Sequence, residues 1–282
     1  MSKKIFYTFL MFAFLLSGCS VPISSRAVAP GPEITDQISI SNPGFETAFL
    51  TLEFGAGHLS LAPGPADKLV SGTAAYNLAD LKPLIVEEGQ AVRIHQGEYK
   101  MNTWPNLEGV KNEWDLRLGA MPLDLTIKAG AYEGIFDFGG LSLLNLTVRD
   151  GAAEVEIDFS TPTLMRMNLF KYQTGASNVT LKNLANANFT NLSFEGGAGN
   201  YTFDFGGQLQ REAALNLQAG MSNISLILPA GFAAQVTVNG GLSSVNVPSS
   251  WRRNGDTYSR AGEGPVLTVM IDLGAGNLNI QE

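Results

Sequence analysis

The heptapeptide Gly197-Ala-Gly-Asn-Tyr-Thr-Phe203 carries the pattern from which the fold follows. Its template is Gly-Ala-x-x-φ-x-φ, where φ is an apolar residue, and close variants recur along the chain. From Gly130 onward, successive copies are 21, 24, 22, 23, 21 and 33 residues apart. The copies are Gly55-AGHLSL, Gly130-AYEGIF, Gly151-AAEVEI, Gly175-ASNVTL, Gly197-AGNYTF, Gly220-MSNISL, Gly241-LSSVNV and Gly274-AGNLNI. A repeat of about 22 residues is typical of a stacked architecture, in which each unit buries its apolar face against its neighbours.

Runs of alternating apolar and polar residues, such as Leu125-TIKA and Leu146-TVRD, come before the template copies. Period-two alternation on both sides of the glycine predicts strand, glycine turn and strand in each unit. Glycine at the corner supplies a positive φ or a close backbone approach. Units of this length that already contain two strands have no room for a crossover helix. The predicted fold class is all-β, either a single-stranded β-helix-like solenoid or an antiparallel meander, and the uniform spacing favours the solenoid.

Positions seven and four of the template predict the interior of this stack and a turn in each unit. Position seven is apolar in every copy, which predicts a continuous interior ladder: Leu61, Phe136, Ile157, Leu181, Phe203, Leu226, Val247 and Ile280. Asparagine recurs at position four, where its tolerance of the left-handed region predicts a turn: Asn178, Asn200, Asn223 and Asn277.

The composition excludes several function classes. The 282 residues carry a net charge of −8, so nucleic acid phosphates are repelled and no nucleic acid partner is expected. Apolar residues make up 45 %, enough for a large core, while charged residues make up only 16 %. Two histidines and one cysteine provide too few ligands for a structural zinc site and little from which to build a catalytic triad. We therefore predict no enzyme activity, no metal and no cofactor.

The N-terminal residues have the pattern of a targeting signal. Lys3 and Lys4 precede twelve apolar residues, fewer than the roughly 20 that a membrane-spanning helix needs. The run Leu16-Ser17-Gly18-Cys19 resembles the bacterial lipobox, which makes Cys19 the predicted lipid-attachment residue. Loss of residues 1–18 leaves a net charge of −10, so the lipid has to hold the protein on an anionic membrane. The predicted location is extracytoplasmic, anchored to the bacterial cell membrane.

Four regions follow from these patterns. Residues 1–18 are the predicted lipoprotein signal peptide, and residues 19–45, rich in Ser, Pro and Gly, are a predicted flexible tether. Residues 46–125 are predicted to form an N-terminal β region, and residues 126–282 the repeat solenoid.

From about Phe45 onward the chain resembles the bacterial toast-rack family. The segments that carry the resemblance are Leu81-KPLI, Asn112-EWDLRLGAMPLDLTIKAGAYEG, Thr174-GASNVTLKNLANANF and Gly196-GAGNYTFDFGG. It implies an N-terminal toast-rack domain followed by a stacked β-helix-like region, with no catalytic residues. The tail, Val236 to Ile280, is similar to the C-terminal domain of cell-wall-active-antibiotic response proteins, which act in Gram-positive envelope-stress signalling. This chain has a lipobox in place of their transmembrane helices.

The segment Trp251 to Arg260 (WRRNGDTYSR) is the predicted partner-contact site. The 33-residue step leaves about ten extra residues, and insertions in repeat proteins form loops on one face. Trp251 and Tyr258 are anchors of the kind found at binding hot spots, and Arg252 and Arg253 add positive charge to an acidic chain. The alternative is a cap, in which Trp251 closes the open end of the core.

Other candidates carry weaker signals. His58 and His95 are too far apart in sequence to indicate a metal site. Trp104 lies in a turn-like loop and is a further contact candidate, while Trp114 is predicted to pack inside. Three aspartates at template position eight would form a calcium-binding column only if they stacked without interruption, so a solvated outer face is favoured: Asp137, Asp158 and Asp204.

Three functions remain open. The first is a non-enzymatic, lipid-anchored envelope protein that presents a solenoid surface to another envelope protein or to a glycan. The second is an accessory factor in the envelope stress response, supported by the tail. The third is a polysaccharide-active enzyme, which would need carboxylates and Arg or Lys clustered on one face.

Overall fold

The computed structural model describes residues 30–97, 109–240 and 242–282. The regular secondary structure of this part of the chain is β-strand, apart from two short 3₁₀ helices at Ala79–Leu81 and Leu184–Ala187. The strands are β1 (Ile34–Ser41), β2 (Ala48–Pro63), β3 (Lys68–Tyr76), β4 (Pro83–Glu88), β5 (Ala91–Gln96), β6 (Asn112–Leu118), β7 (Leu123–Asp137), β8 (Leu143–Arg149), β9 (Ala152–Asp158), β10 (Met167–Lys182), β11 (Phe189–Asp204), β12 (Ala213–Ile227), β13 (Phe232–Asn239), β14 (Leu242–Asn246), β15 (Arg252–Asn254), β16 (Thr257–Arg260) and β17 (Glu263–Gln281).

Most of these strands stack in parallel as a β-solenoid, while β1, β3, β4, β15 and β16 pair antiparallel with their neighbours. We call one layer of the stack a coil; the residues before its template glycine are the first arm and those after it are the second arm. In β2, β7, β10, β11, β12 and β17 a single strand runs through both arms, whereas β8 and β9 share one coil, as do β13 and β14. From β2 the coils follow in the order β2, β7, β8/β9, β10, β11, β12, β17 and β13/β14.

The order of the coils differs from the order of the chain at both ends. In the middle, paired positions lie 21 to 24 residues apart, as between Ala131 and Ala152 or Asn178 and Asn200. At the N-terminal end β7 stacks on β2, 75 residues earlier. At the C-terminal end β17 inserts between β12 and β13/β14, so the corner of Gly274 follows that of Gly220. The coil β13/β14, which follows β12 in the chain, is therefore separated from β12 by β17 in the stack.

The tether expected over residues 19–45 is wrong in its second half. Strand β1 pairs antiparallel with β3, which pairs antiparallel with β6. The alternating residues of β1 bury Ile38 and Ile40 against the core. The boundary expected between residues 125 and 126 lies inside β7.

The interior ladder predicted from position seven is confirmed for seven of its eight residues. Each of the seven is at most 2 % exposed, while Val247, beyond the end of β14, packs against the core and is only partly buried. Phe203 packs the edge of its ring on Phe194 with a centroid distance of 5.0 Å. One apolar core thus runs through successive coils, as the alternation requires.

The corners need glycine because the coils nearly touch there. A Cβ built on Gly197 would lie 2.4 Å from the carbonyl oxygen of Gly175, and one on Gly130 would lie 2.5 Å from that of Gly55. Two positions later, Gly199 has φ of +152°, where a Cβ would lie 1.8 Å from the carbonyl oxygen of Ser177. Close approach explains the first glycine of the template, and the left-handed region adds to it at the third.

The turn predicted for the asparagine register is wrong. Asn178, Asn200, Asn223 and Asn277 lie in extended strands, one residue past the bend, and pair side by side. The amides of Asn200, Asn223 and Asn277 each donate to the side-chain oxygen of the preceding asparagine in the row, at 2.9, 3.1 and 2.9 Å. The Ser244 hydroxyl donates to Asn277 at the end of the row. Asparagine recurs because it both donates and accepts along the stack.

Candidate functional site

The segment Trp251 to Arg260 is a cap rather than an exposed loop. Strands β15 and β16 form a hairpin, and β16 pairs antiparallel with β13 at the last coil. Trp251 and Tyr258 are each only 8 % exposed, as the cap alternative predicts. The hairpin covers an edge strand that would otherwise leave its backbone groups unpaired.

Arg260 connects this cap to the residues around the start of β13 and to the C-terminal Glu282. Its guanidinium donates to the carbonyl oxygens of Phe232 at 3.0 Å and Pro229 at 2.6 Å, and it pairs with the Glu282 carboxylate at 3.0 Å. The same group lies 5.3 Å from the centre of the Trp251 ring. A nearly buried cation is thus held by carbonyls, a carboxylate and an aromatic face, which stabilise its charge.

Two of the predicted contact residues remain accessible. Arg252 and Arg253 are exposed on β15. The Arg253 guanidinium lies 5.4 Å from the centre of the Tyr258 ring, and its Nε donates to the carbonyl oxygen of Gly255 at 2.9 Å. Arg252 and Arg253 therefore present positive charge on the outer surface of the cap.

The predicted signal peptide, Cys19 and Trp104 lie outside the described residues. Within residues 30–97, 109–240 and 242–282, no helix has the length and apolar character needed to span a membrane. Trp114 is buried as predicted and packs its ring edge against Phe54 with a centroid distance of 5.2 Å.

The histidines and the aspartate column take part in local pairs. His58 Nε2 lies 2.9 Å from the Glu133 carboxylate at the surface, and His95 Nδ1 lies 2.9 Å from a backbone carbonyl oxygen. Asp137 and Asp158 are neighbours, and Lys182 follows in the same register before Asp204 is reached. In the part of the chain that the structure describes, no three His, Cys, Asp or Glu side chains are grouped to hold a metal ion.

A groove along the corners of five coils is the main feature that the sequence did not reveal. This corner groove has a volume of about 740 Å³, and it crosses coils β8/β9, β10, β11, β12 and β17. Glycine backbone forms much of its floor because the corners carry no side chains. Its lining residues are Arg149, Asp150, Gln173, Thr174, Gly175, Glu195, Gly196, Gln218, Ala219, Gly220, Asp272 and Gly274.

One row of polar side chains follows the corner groove, one residue from each coil. This groove ladder consists of Arg149, Gln173, Glu195, Gln218 and Asp272, which are paired in register. Arg149 Nε donates to Gln173 Oε1 at 3.0 Å, and Gln173 Nε2 donates to Glu195 Oε2 at 2.7 Å. The hydrogen bond from Gln173 lowers the pKa of the Glu195 carboxyl. Side-chain hydrogen bonds therefore connect three residues of the groove ladder, Arg149, Gln173 and Glu195.

Asp150 forms a half-buried network in the groove wall. Its carboxylate accepts hydrogen bonds from Tyr172 at 2.7 Å, from Tyr132 and Ser177 at 3.4 Å each, and from Thr174. Burial raises the pKa of Asp150 above its ordinary value. Burial also raises the pKa of Tyr132 and Tyr172 well above 10.0, so the network contains neutral donors around one carboxylate.

A sequence signal for the groove ladder does exist. The residue two positions before the template glycine is polar in every copy, including Glu53, Lys128 and Asn239. Side chains in that register point outward, and parallel stacking places them side by side. The sequence pattern does not show which coils are neighbours, and it is their order in the stack that makes this row of side chains the wall of a groove.

Known proteins resemble this chain both in family and in fold. A family described as "N-terminal domain of toast_rack, DUF2154" matches residues 29–169. The chain is similar to the structure of a "putative cell adhesion protein" from Clostridium sporogenes, with 22 % identity and a TM-score of 0.55, over 89 % of this chain and 99 % of that one. It also matches a "putative adhesin" from Bacteroides fragilis, with 10 % identity and a TM-score of 0.37, over 90 % of this chain and 100 % of that one. No curated protein matches the chain. The Clostridium structure shows a shared fold.

Proposed function

The chain belongs to the toast-rack family, and on this premise we propose that it is a non-enzymatic, lipid-anchored protein of the bacterial cell envelope that binds through its β-solenoid surface. The observation that carries the proposal is the corner groove, which extends over five coils and is lined by polar side chains. The name of the Clostridium protein, which has the same fold, supports adhesion as the purpose of such a surface.

The shape of the solenoid supports binding at a surface. Parallel stacking repeats the same outward positions from coil to coil, so neighbouring side chains form rows that match extended partners. The groove ladder and the asparagine row are two such rows, on opposite sides of the corner. A protein with this architecture binds through an extended area rather than through one deep pocket.

The proposed anchor is tested at Cys19. Cys19→Ala should leave an unprocessed or released protein that partitions into the aqueous phase of a detergent extraction, because the acylated thiol is lost. Ser24→Ala, a few residues downstream, is the control and should partition like the wild type. Wild-type protein in the aqueous phase would overturn the lipoprotein proposal.

Binding is tested with the mature protein purified in detergent. Sedimentation with isolated cell envelopes, with and without their protein component, should bring the protein down with at least one of the two preparations. If the protein stays in the supernatant with both, it has no envelope ligand and the proposed binding function fails.

The exposed arginines of the cap are a proposed second contact surface. Replacing Arg252 and Arg253 with serine should change the melting temperature only slightly, because both side chains are exposed and an exposed cation–π contact such as that of Arg253 with Tyr258 contributes about 0.5–1 kcal/mol. Crosslinking in native membranes should then lose partners that the wild type recovers. Recovery of the same partners would show that this face of the cap makes no contact.

A further inference from the structure

We infer that the corner groove binds an extended polysaccharide chain, uncharged or bearing amino groups, which runs along the stack with one sugar over each coil. This inference rests on the proposed binding function and names the ligand class for that surface. It follows from the spacing of the lining groups, their chemistry, their charge and an unpaired hydroxyl beneath the floor.

The spacing fits a sugar chain. Parallel strands lie about 4.8 Å apart, so five lining coils cover about 19 Å along the stack. A pyranose ring in an extended 1,4-linked chain advances by nearly the same distance as one coil. An extended peptide advances about 3.3 Å per residue, and its side chains would fall out of register with the groove ladder after one or two coils. The backbone groups of the floor already pair between coils, so no free strand edge is available to a peptide.

The lining chemistry fits hydroxyl groups. Amides donate and accept, carboxylates accept, and the lining residues include no aromatic side chain. Gln218 and Asp272 are exposed, and within the described part of the chain their side chains make no hydrogen bond. The Arg149, Gln173 and Glu195 part of the ladder is already paired. Ligand contacts should therefore be concentrated at the Gln218 and Asp272 end.

The charge of the groove selects against polyanions. Three carboxyl groups line it, at Asp150, Glu195 and Asp272, against the single cation Arg149. The whole chain carries a net charge of −8 and adds to this field. Phosphate-bearing polymers and acidic glycans are repelled, whereas neutral or amino sugars are not.

A buried hydroxyl lies beneath the floor without a partner. Tyr201 is 1 % exposed, and its hydroxyl lies 2.7 Å from the point where a Cβ on Gly196 would be. Burial raises the pKa of the Tyr201 hydroxyl, and no atom of the described residues is in hydrogen-bonding geometry with it, since the Ser222 hydroxyl donates to the Gly197 carbonyl instead. Gly196 lines the corner groove, so this hydroxyl lies next to the floor of the groove.

Calorimetric titration of the mature protein tests the inference, with chitohexaose, cellohexaose, a glucosamine hexamer and a hyaluronan hexasaccharide as probes. At least one of the first three should bind, its dimer should bind at least tenfold more weakly, and hyaluronan should not bind. The double variant Gln218→Ala, Asp272→Ala should lose at least tenfold in affinity. The matched control Glu212→Ala, Gln281→Ala also removes one exposed carboxylate and one exposed amide, outside the groove, and should bind within twofold of the wild type.

The inference is overturned if none of the three oligosaccharides binds, if hyaluronan binds equally well, or if the groove variant binds like the wild type. Circular dichroism melting checks that both double variants are folded. Sedimentation with cell envelopes distinguishes the proposed envelope binding from the proposed ligand of the groove. If the protein sediments with envelopes but binds no oligosaccharide, only the assignment of the groove fails. If the protein neither sediments with envelopes nor binds an oligosaccharide, the proposed binding function fails as well.

Discussion

Replacing Gly197 with alanine tests whether the corner glycines are required because neighbouring coils touch there. The new Cβ would lie 2.4 Å from the carbonyl oxygen of Gly175 and 3.2 Å from its carbonyl carbon. Both atoms belong to backbone, so no side chain can rotate away. To reach an ordinary contact, the two coils would have to separate by about 1 Å, which lengthens the hydrogen bonds of the ladder beside the corner.

The magnitude follows from two costs. Overpacking a tight site costs about 1–3 kcal/mol, and each weakened ladder hydrogen bond adds about 1 kcal/mol. We expect Gly197→Ala to lower the free energy of unfolding by about 2–5 kcal/mol, a large share of a usual total of about 5–15 kcal/mol. The melting temperature should fall by about 10 °C.

Gly31→Ala is the control. Its Cβ would lie 3.5 Å from the Asn77 carbonyl oxygen, an ordinary contact, and its φ is outside the left-handed region. Both substitutions restrict the unfolded chain equally, so the difference between them reports the folded state. Urea denaturation followed by circular dichroism gives both values. If the two variants agree within about 0.5 kcal/mol, the coils do not press on each other at the corner.

Three further predictions concern the core, the pH response and the cap. Phe203→Ala should cost about 3–5 kcal/mol because the ring is buried, whereas Asp204→Asn, one residue away on the outer side, should cost under about 0.5 kcal/mol; equal urea midpoints would refute the assigned facing. Burial raises the pKa of Tyr132 above 10.0, so the folded state keeps a proton that the unfolded state releases, and stability should fall as the pH rises above about 10. Tyr132→Phe should make that decline shallower in urea titrations from pH 8 to 11, because Tyr172, whose pKa is raised in the same way, still contributes to it; an unchanged decline would mean that Tyr132 plays no part in it. Trp251→Ala should lower the melting temperature by the loss of about 3–5 kcal/mol, since its ring closes the last coil; unchanged melting would mean that the hairpin is only a spacer.

Much of the interior could be predicted from the sequence. The alternation of apolar and polar residues predicts which side of a strand faces inward. It predicted the interior ladder that runs from Leu61 to Ile280. The toast-rack resemblance is confirmed by the family match over residues 29–169. The flexible tether was wrong over β1 because a short alternating run, Ile38-Ser-Ile40, was outweighed by Ser and Pro around it.

The asparagine register shows where local propensity misleads. Asparagine favours turns in isolation, but in this stack the neighbours of Asn200 are Asn178 and Asn223, which offer their amides at 2.9 and 3.1 Å. Contacts between coils outweigh the local preference, because each amide gains a donor and an acceptor from the coils on either side. Among the described residues, the asparagines with positive φ are instead Asn183 and Asn188, which flank the second 3₁₀ helix.

The amino-acid sequence by itself determined the all-β class, the bend at each template glycine and the inward face of each strand, because these depend on period-two alternation and on the lack of a Cβ. Tertiary structure alone decided which coils are neighbours. Strand β17 lies between β12 and β13/β14, and β7 lies on β2, because a strand pairs with whichever complementary edge is free, at any distance along the chain. The corner groove and the fastening of Arg260 beneath the cap depend on those pairings, since they join residues that only the stack brings together.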